Sequence, residues 1–248
     1  MKSKVVIILI LSLLVAIPLT FIVLSAMSPI RAIKLVNENY PDTSVVEDIS
    51  PEQLKLEKEE IYLRARLKMA EADSACLSIN LVDSIIIMEI QGVKLIETKI
   101  QKINSSKIFP RYKKQAFYEY FSTPFVIDSD YCTIPKEFFN IKYAPEDTIA
   151  AQAPKTMPDT TIQDPVYFTL YLDRGLMVDI RQTDTIRPEI YKDYNRYLRN
   201  EKISRMWSHL YKFEVPPYDP WIRIEIPHKD ARSIFKALPH HAQVSIIM

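Results

Sequence analysis

Thiols, imidazoles and paired carboxylates are the groups that can carry covalent or proton-transfer chemistry, and this chain has few of them. Its two cysteines are Cys76 and Cys132, and its four histidines are His209, His228, His240 and His241. A thiolate nucleophile needs a neighbouring base to hold its proton, and neither cysteine has a histidine within ten residues. His240 and His241 are adjacent, so their side chains diverge, and no carboxylate or cysteine completes a ligand set at the usual spacing. No metal site is expected. Asp173 and Asp179 lie six residues apart across a turn and read as turn chemistry and surface, not as a catalytic carboxylate pair. Gly92 and Gly175 are the only glycines. A dinucleotide fingerprint and a phosphate-cradling loop each need several close glycines, so both are excluded and no cofactor is expected.

The elements that must position these groups begin with an uncharged run of twenty-two residues, Val5 to Ala26, behind Lys2 and Lys4. As a helix it is long enough to cross a hydrocarbon core of about 30 Å. A cleaved secretory signal is the competing reading, but its apolar core runs to only about 7–15 residues before a small-x-small site. Here Leu24-Ser25-Ala26 and the following Pro29 make poor cleavage sequences, and an uncleaved anchor, residues 1–28, is expected. Lys2, Lys4 and the amino terminus give a weak positive-inside bias, which puts the anchor in the inner, cytoplasmic membrane and the remaining chain in the periplasm. No cysteine near the end of the run supports a lipid anchor.

Residues 29–72 read as a stem and an amphipathic helix. Ile33, Val36 and Tyr40 recur at helical spacing, and Ser50-Pro51-Glu52-Gln53 has the form of a helix start. Leu56, Leu63, Leu67 and Ala70 form the apolar stripe expected to pack on the domain, with Glu57 to Glu60 solvated. Residues 73–248 read as one β-rich domain, and the whole chain as α+β. Leu77–Leu81, Ser84–Gln91 and Val93–Ile103 predict a three-stranded antiparallel meander, turned at Asp83 and Gly92. An aromatic-rich stretch from Lys107 to Tyr143 follows, and 144–165, with three prolines before Asp164, reads as a mobile loop. Val166–Asp173 and Leu176–Gln182 form a hairpin about Arg174-Gly175. The chain closes with a strand from Trp221 to Pro227, a short helix from Lys229 to Leu238, and a strand from Gln243 to Ile247.

An inserted amphipathic helix spans 186–212, with Ile190, Tyr194, Tyr197, Leu198, Ile203, Met206, Trp207 and Leu210 on a helical period. It carries seven basic and three acidic side chains, although the whole chain has a net charge of only +1. Basic residues interleaved with aromatics can grip nucleic acid, but a location outside the cytoplasm argues against that partner. A solvated basic face, or attraction to an acidic polymer or anionic headgroups, is expected instead.

The residues Ile222-Arg223-Ile224, Asp230-Ala231, Ile234-Phe235, Leu238-Pro239 and Val244 to Ile247 are similar to the close of the L,D-transpeptidase (YkuD-like) catalytic domain. The hairpin Leu172 to Asp179 resembles the stretch bearing that family's catalytic His, and Leu77 to Ile103 its opening strands; together these cover less than a third of the chain. The resemblance implies a peptidoglycan cross-linking fold whose nucleophilic Cys is followed at the second residue by Arg. Here Trp221 stands at the Cys position and Asp179 at the His position, with Arg223 retained. An indole offers only a donor N–H, and Pro217, Tyr218, Asp219 and Pro220 replace the small residues around the family's nucleophile. Pro220 has no N–H for an oxyanion.

The chain therefore reads as a pseudoenzyme: a non-catalytic, membrane-anchored envelope protein binding peptidoglycan stems or a protein partner through Trp221, Tyr218, Arg223 and Asp179. Two alternatives stand beside it, an active peptidoglycan L,D-transpeptidase or hydrolase with a relocated nucleophile, and a structural subunit of an envelope membrane complex. In an oxidising compartment Cys76 and Cys132 are expected to form a disulfide; two inert thiols or a catalytic Cys132 are the other possibilities.

Overall fold

In the computed structural model, residues 2–40, 51–136, 164–184 and 187–248 are described. Residues 144–163 of the expected loop 144–165 therefore lie outside the described residues. Helix α1 (Lys2–Asn39) is one unbroken helix that contains the uncharged run and continues through Pro29. Its part from Pro18 to Asn39 is long and apolar enough to cross a membrane. The expected separate stem helix is thus the end of α1, and the expected face holds: Ile33, Val36 and Tyr40, joined by Ala32, pack against the domain core. Helix α2 (Pro51–Ala70) starts at the expected proline. Its buried face is Tyr62, Ala65 and Met69, whereas Leu56, Leu63 and Leu67 of the expected stripe are exposed.

Nine strands follow in one mixed sheet. They are β1 (Cys76–Asn80), β2 (Ile85–Ile90), β3 (Val93–Lys99), β4 (Lys102–Ser105), β5 (Phe125–Cys132), β6 (Tyr167–Leu172), β7 (Met177–Gln182), β8 (Trp221–Ile226) and β9 (Gln243–Ile247), with α3 (Lys114–Ser122), α4 (Pro188–Leu210) and α5 (His228–Ala237) between them. The spatial order is β3-β2-β1-β9-β5-β6-β7-β8-β4. The two glycines, both at positive φ, serve the hairpin turns β2–β3 and β6–β7, with Gln91 and Arg174 before them also left-handed.

The third run of the expected meander is divided. β3 pairs with β2, β4 pairs with β8 at the far end of the order, and only Ile100 and Gln101 separate them. The Ile100 N–H donates to the Ser84 carbonyl at 2.8 Å and the Gln101 N–H to the Glu225 carbonyl at 2.8 Å. The chain thus passes from one edge strand to the other in two residues, which makes a corner between two layers. A second corner lies in β5, which pairs with β9 at Phe125 and Val126, shifts register between Ile127 and Ser129, and continues against β6. Strands that bend from one layer into the next make such corners. Leu77, Ile79, Ile86 and Met88 of one layer and Phe168, Leu170, Val178, Ile180, Ile222 and Ile224 of the other belong to a single buried core, which Ala231, Ile234 and Phe235 of α5 also enter.

Strand alternation sends every second side chain away from this core. On the first layer these outward residues include Ser78 and Glu89; on the second they include Thr169, Asp179 and Arg181, and all are buried. Both outer faces are therefore covered, by α2 over the first and α4 over the second.

Candidate functional site

Beneath α4, three strands place their outward residues side by side. β6 and β7 are antiparallel with Thr169 opposite Asp179, and β7 and β8 are parallel with Asp179 opposite Arg223. Asp179 has no solvent exposure. Its Oδ2 accepts from Nε of Arg223 at 2.7 Å and from Nε of Arg181 at 2.9 Å, with a second Arg181 nitrogen at 2.8 Å. Its Oδ1 accepts from the Tyr194 hydroxyl at 2.9 Å, and that hydroxyl also meets Thr169 Oγ1 at 2.5 Å. Helix α4 completes the shell, since Arg181 donates to Tyr191 Oη at 3.0 Å and to Asn195 Oδ1 at 2.9 Å. Burial pulls the Arg181 guanidinium down, but the hydrogen bonds and charge of Asp179 outweigh it and hold the group above its ordinary value. Burial, with the Asp179 charge behind it, pushes the Tyr194 phenol well above its ordinary value.

Asp179 is therefore no turn residue on the surface, as its spacing from Asp173 suggests. Asp173 does stand in the turn between β6 and β7, and its Oδ1 accepts the Val126 N–H of β5 at 3.0 Å. Asp179 sits under a helix because its alternating neighbours form a polar face that only a tyrosine-rich, hydrogen-bonding helix can cover. With donors on both oxygens from two guanidiniums and a phenol, this carboxylate is not placed to take a proton from a nucleophile.

One carboxylate against two guanidiniums leaves one positive charge in excess. Arg223 is 35% exposed and binds Asp179 through Nε alone, so its Nη donors have no partner among the described residues. Its guanidinium lies 5.3 Å from the Trp221 ring, and Trp221 is half-buried at the start of β8. The Trp221 side chain stands outside the core, with Ile222, Ile224 and Ile226 pointing in. Asp179, Trp221 and Arg223 thus come together on one face of β7 and β8. Tyr218 does not join them. Its hydroxyl meets Ser106 Oγ at 2.7 Å, and it lines a separate cleft of about 520 Å³ between α1 and the segment 209–218, with Ser28, Arg31 and His209.

The two cysteines are free. Cys76 is paired across to Glu89 on the first layer and Cys132 to Phe168 on the second, so the expected disulfide is not formed. Burial raises both thiols, Cys132 to about 12, and no histidine acts on either. The histidines are engaged elsewhere: His228 with the Asp164 carbonyl, and His241 with the Ile127 carbonyl. Among the described residues no group of three or more His, Cys, Asp or Glu can hold a metal.

Residues that sequence reasoning left out are Arg181, Thr169, Tyr191, Tyr194 and Asn195. A signal existed, in the polar side chains recurring every second residue along β6 and β7 and in Tyr191, Tyr194 and Asn195 spaced three and four apart on one helix face. Comparison with family models, curated proteins and solved structures finds no match to this chain.

Proposed function

We propose that α1 anchors the chain in the cytoplasmic membrane as a single pass, that the domain beyond it lies in the periplasm, and that this domain has an L,D-transpeptidase-like fold used to bind without making or breaking bonds. The observation that carries this reading is the pairing of Arg223 with buried Asp179 beside an indole. A guanidinium fixed by one edge, with its other donors open to solvent and an aromatic ring against it, is a receptor for a carboxylate-bearing, partly apolar ligand. Peptidoglycan stem peptides have that chemistry, and a carboxylate-bearing segment of an envelope protein shares it. The three positions named by the resemblance lie on one face of adjacent strands, as a site once shared between them requires. Neither thiol supports the enzyme alternative, since a catalytic thiolate needs a lowered pKa and a neighbouring base.

Full-length protein in detergent, mixed with muropeptides, tests the reading. Unchanged muropeptide masses together with saturable binding that Arg223→Gln weakens at least about tenfold are expected. Altered masses would establish an enzyme, and absence of affinity would leave the structural-subunit reading.

A further inference from the structure

We infer that the C-terminal end of α4 is a second membrane contact, in which Ile203, Trp207, Tyr211 and Phe213 enter the bilayer interface beside α1, with an anionic lipid surface as partner. The inference rests on the proposed anchoring by α1. Only Tyr194 and Leu210 of α4 are buried, and Ile203 and Trp207, toward its C-terminal end, are exposed. Trp207 is 51% exposed, Tyr211 85% and Phe213 71%.

What covers these rings follows from their neighbour. The Trp207 ring meets Phe21 of α1 edge to face at 5.3 Å, and the Met206 sulfur lies 3.8 Å from Ser25 Oγ. Phe21 and Ser25 belong to the expected span Val5–Ala26; α1 stays uncharged to Ile30, but Ser28 is already buried beside the segment 214–218, which puts the end of the span at Ala26. At about 1.5 Å per residue, Phe21 stands roughly 7–8 Å inside that end. A bilayer that surrounds Phe21 therefore reaches Trp207. Indole and phenol rings favour that depth, where the apolar body is shielded and the polar edge stays wet.

Charge is arranged to match. Arg199, Ile203 and Trp207 follow one another at intervals of four along one helix face, so the basic part lies farther from α1's apolar run than the aromatic part. Arg31, Arg199, Lys202 and Lys212 have no carboxylate partner among the described residues, whereas Lys34, Arg196 and Arg205 are paired. Unpaired cations above an apolar edge are the arrangement that anionic headgroups attract.

The test uses full-length chain reconstituted into vesicles. The chain has two tryptophans, so Trp221→Phe leaves Trp207 as the sole indole. In vesicles of phospholipid brominated at shallow acyl positions, Trp207 should lose most of its emission, while the reciprocal Trp207→Phe chain, reporting Trp221, keeps it. The loss should be larger with anionic than with purely zwitterionic lipid. Unquenched Trp207 in a chain that resists alkaline extraction would overturn the inference while leaving the anchor intact. Equal quenching in both lipids would overturn its anionic part. Release of the chain by alkaline extraction would overturn the anchoring reading and the contact with it.

Discussion

Each outer face of the two-layered sheet buries one carboxylate under one helix, and the two are built differently. Under α2, Glu89 is 3% exposed and bonds Arg66 twice, at 2.5 and 3.0 Å; Ser78 donates to it at 2.6 Å, and Ser245 in turn donates to Ser78 at 2.9 Å. One cation meets one anion there, and neighbouring hydroxyls complete the shell. Under α4, Asp179 meets two guanidiniums, and one of them reaches solvent beside an aromatic ring. The first arrangement closes a helix onto a sheet. The second does that and leaves a charge and donors unspent. On the function proposed above, the difference separates a packing device from a recognition surface, although both look alike as buried ion pairs.

The largest effect should come from Asp179→Asn, which strands two guanidiniums, one of them almost fully buried. Breaking a buried pair by removing one partner costs about 3–5 kcal/mol, to be read as a lowered denaturation midpoint of the full chain. Glu89→Gln leaves only Arg66, which is 22% exposed and can recruit water. It should cost less, about 1–3 kcal/mol. A larger loss from Glu89→Gln would break the comparison, since it would make the closed pair the more demanding of the two.

Acid sharpens the same contrast. Burial raises the Glu89 carboxyl, but the Arg66 and Ser78 hydrogen bonds and the Arg66 charge outweigh it and hold the group below its ordinary value. A lowered folded value means stability that is complete above the unfolded pKa of about 4.3 and is lost as pH falls through the folded value. Stability measured from pH 6 downward should therefore fall below about pH 4.3, and Glu89→Gln should flatten that slope. A slope unchanged by the substitution would show that Glu89 is not the titrating group.

Trp221→Ala ranks next. Truncating a fully buried aromatic costs about 3–5 kcal/mol; this ring is half-buried on the outer face, and about 1 kcal/mol of stability should go with it. On the function proposed above, its loss should appear in muropeptide affinity instead. A stability loss in the upper range with affinity intact would make Trp221 a packing residue and leave Arg223 alone as the binding group.

The parts of the fold legible in the sequence are those governed by local pattern. The uncharged run, the hairpin about Arg174-Gly175 and the closing strand-helix-strand all stand where alternation and apolar spacing put them. The face of α2 was not legible. Its three leucines are the greasier choice, yet the surface it covers carries Ser78 and Glu89, and contact there favours small Ala65, Met69 and Tyr62 with Arg66 reaching in. The division of Val93–Ile103 between two edge strands depends on β8, more than a hundred residues away in sequence. Asp179 was misread for the same reason. Its position was singled out, but its burial depends on Arg223, 44 residues on, and on Tyr194 from a helix whose docking no local pattern fixes.

The smallest expected effect is that of reductant. Removing a native disulfide from a small exported domain commonly costs about 2–5 kcal/mol, so a bonded Cys76–Cys132 pair would show as a lowered midpoint when thiols are reduced. The register argues against the bond. Cys76 lies beside Gln243 on β9, and Gln243 pairs with Val126 on β5. Cys132 is six residues farther along β5, past the corner, about 20 Å of strand at 3.3 Å per residue. A disulfide needs α-carbons within about 7 Å. The unfolding midpoint should therefore be the same with and without reductant, and both thiols should alkylate in denaturant without prior reduction. In the folded chain Cys132, raised to about 12 by burial, should alkylate slowly at pH 8. A reductant-dependent midpoint would mean that the two layers approach each other differently at β1 and β5, and the two-face comparison would have to be redrawn from that corner.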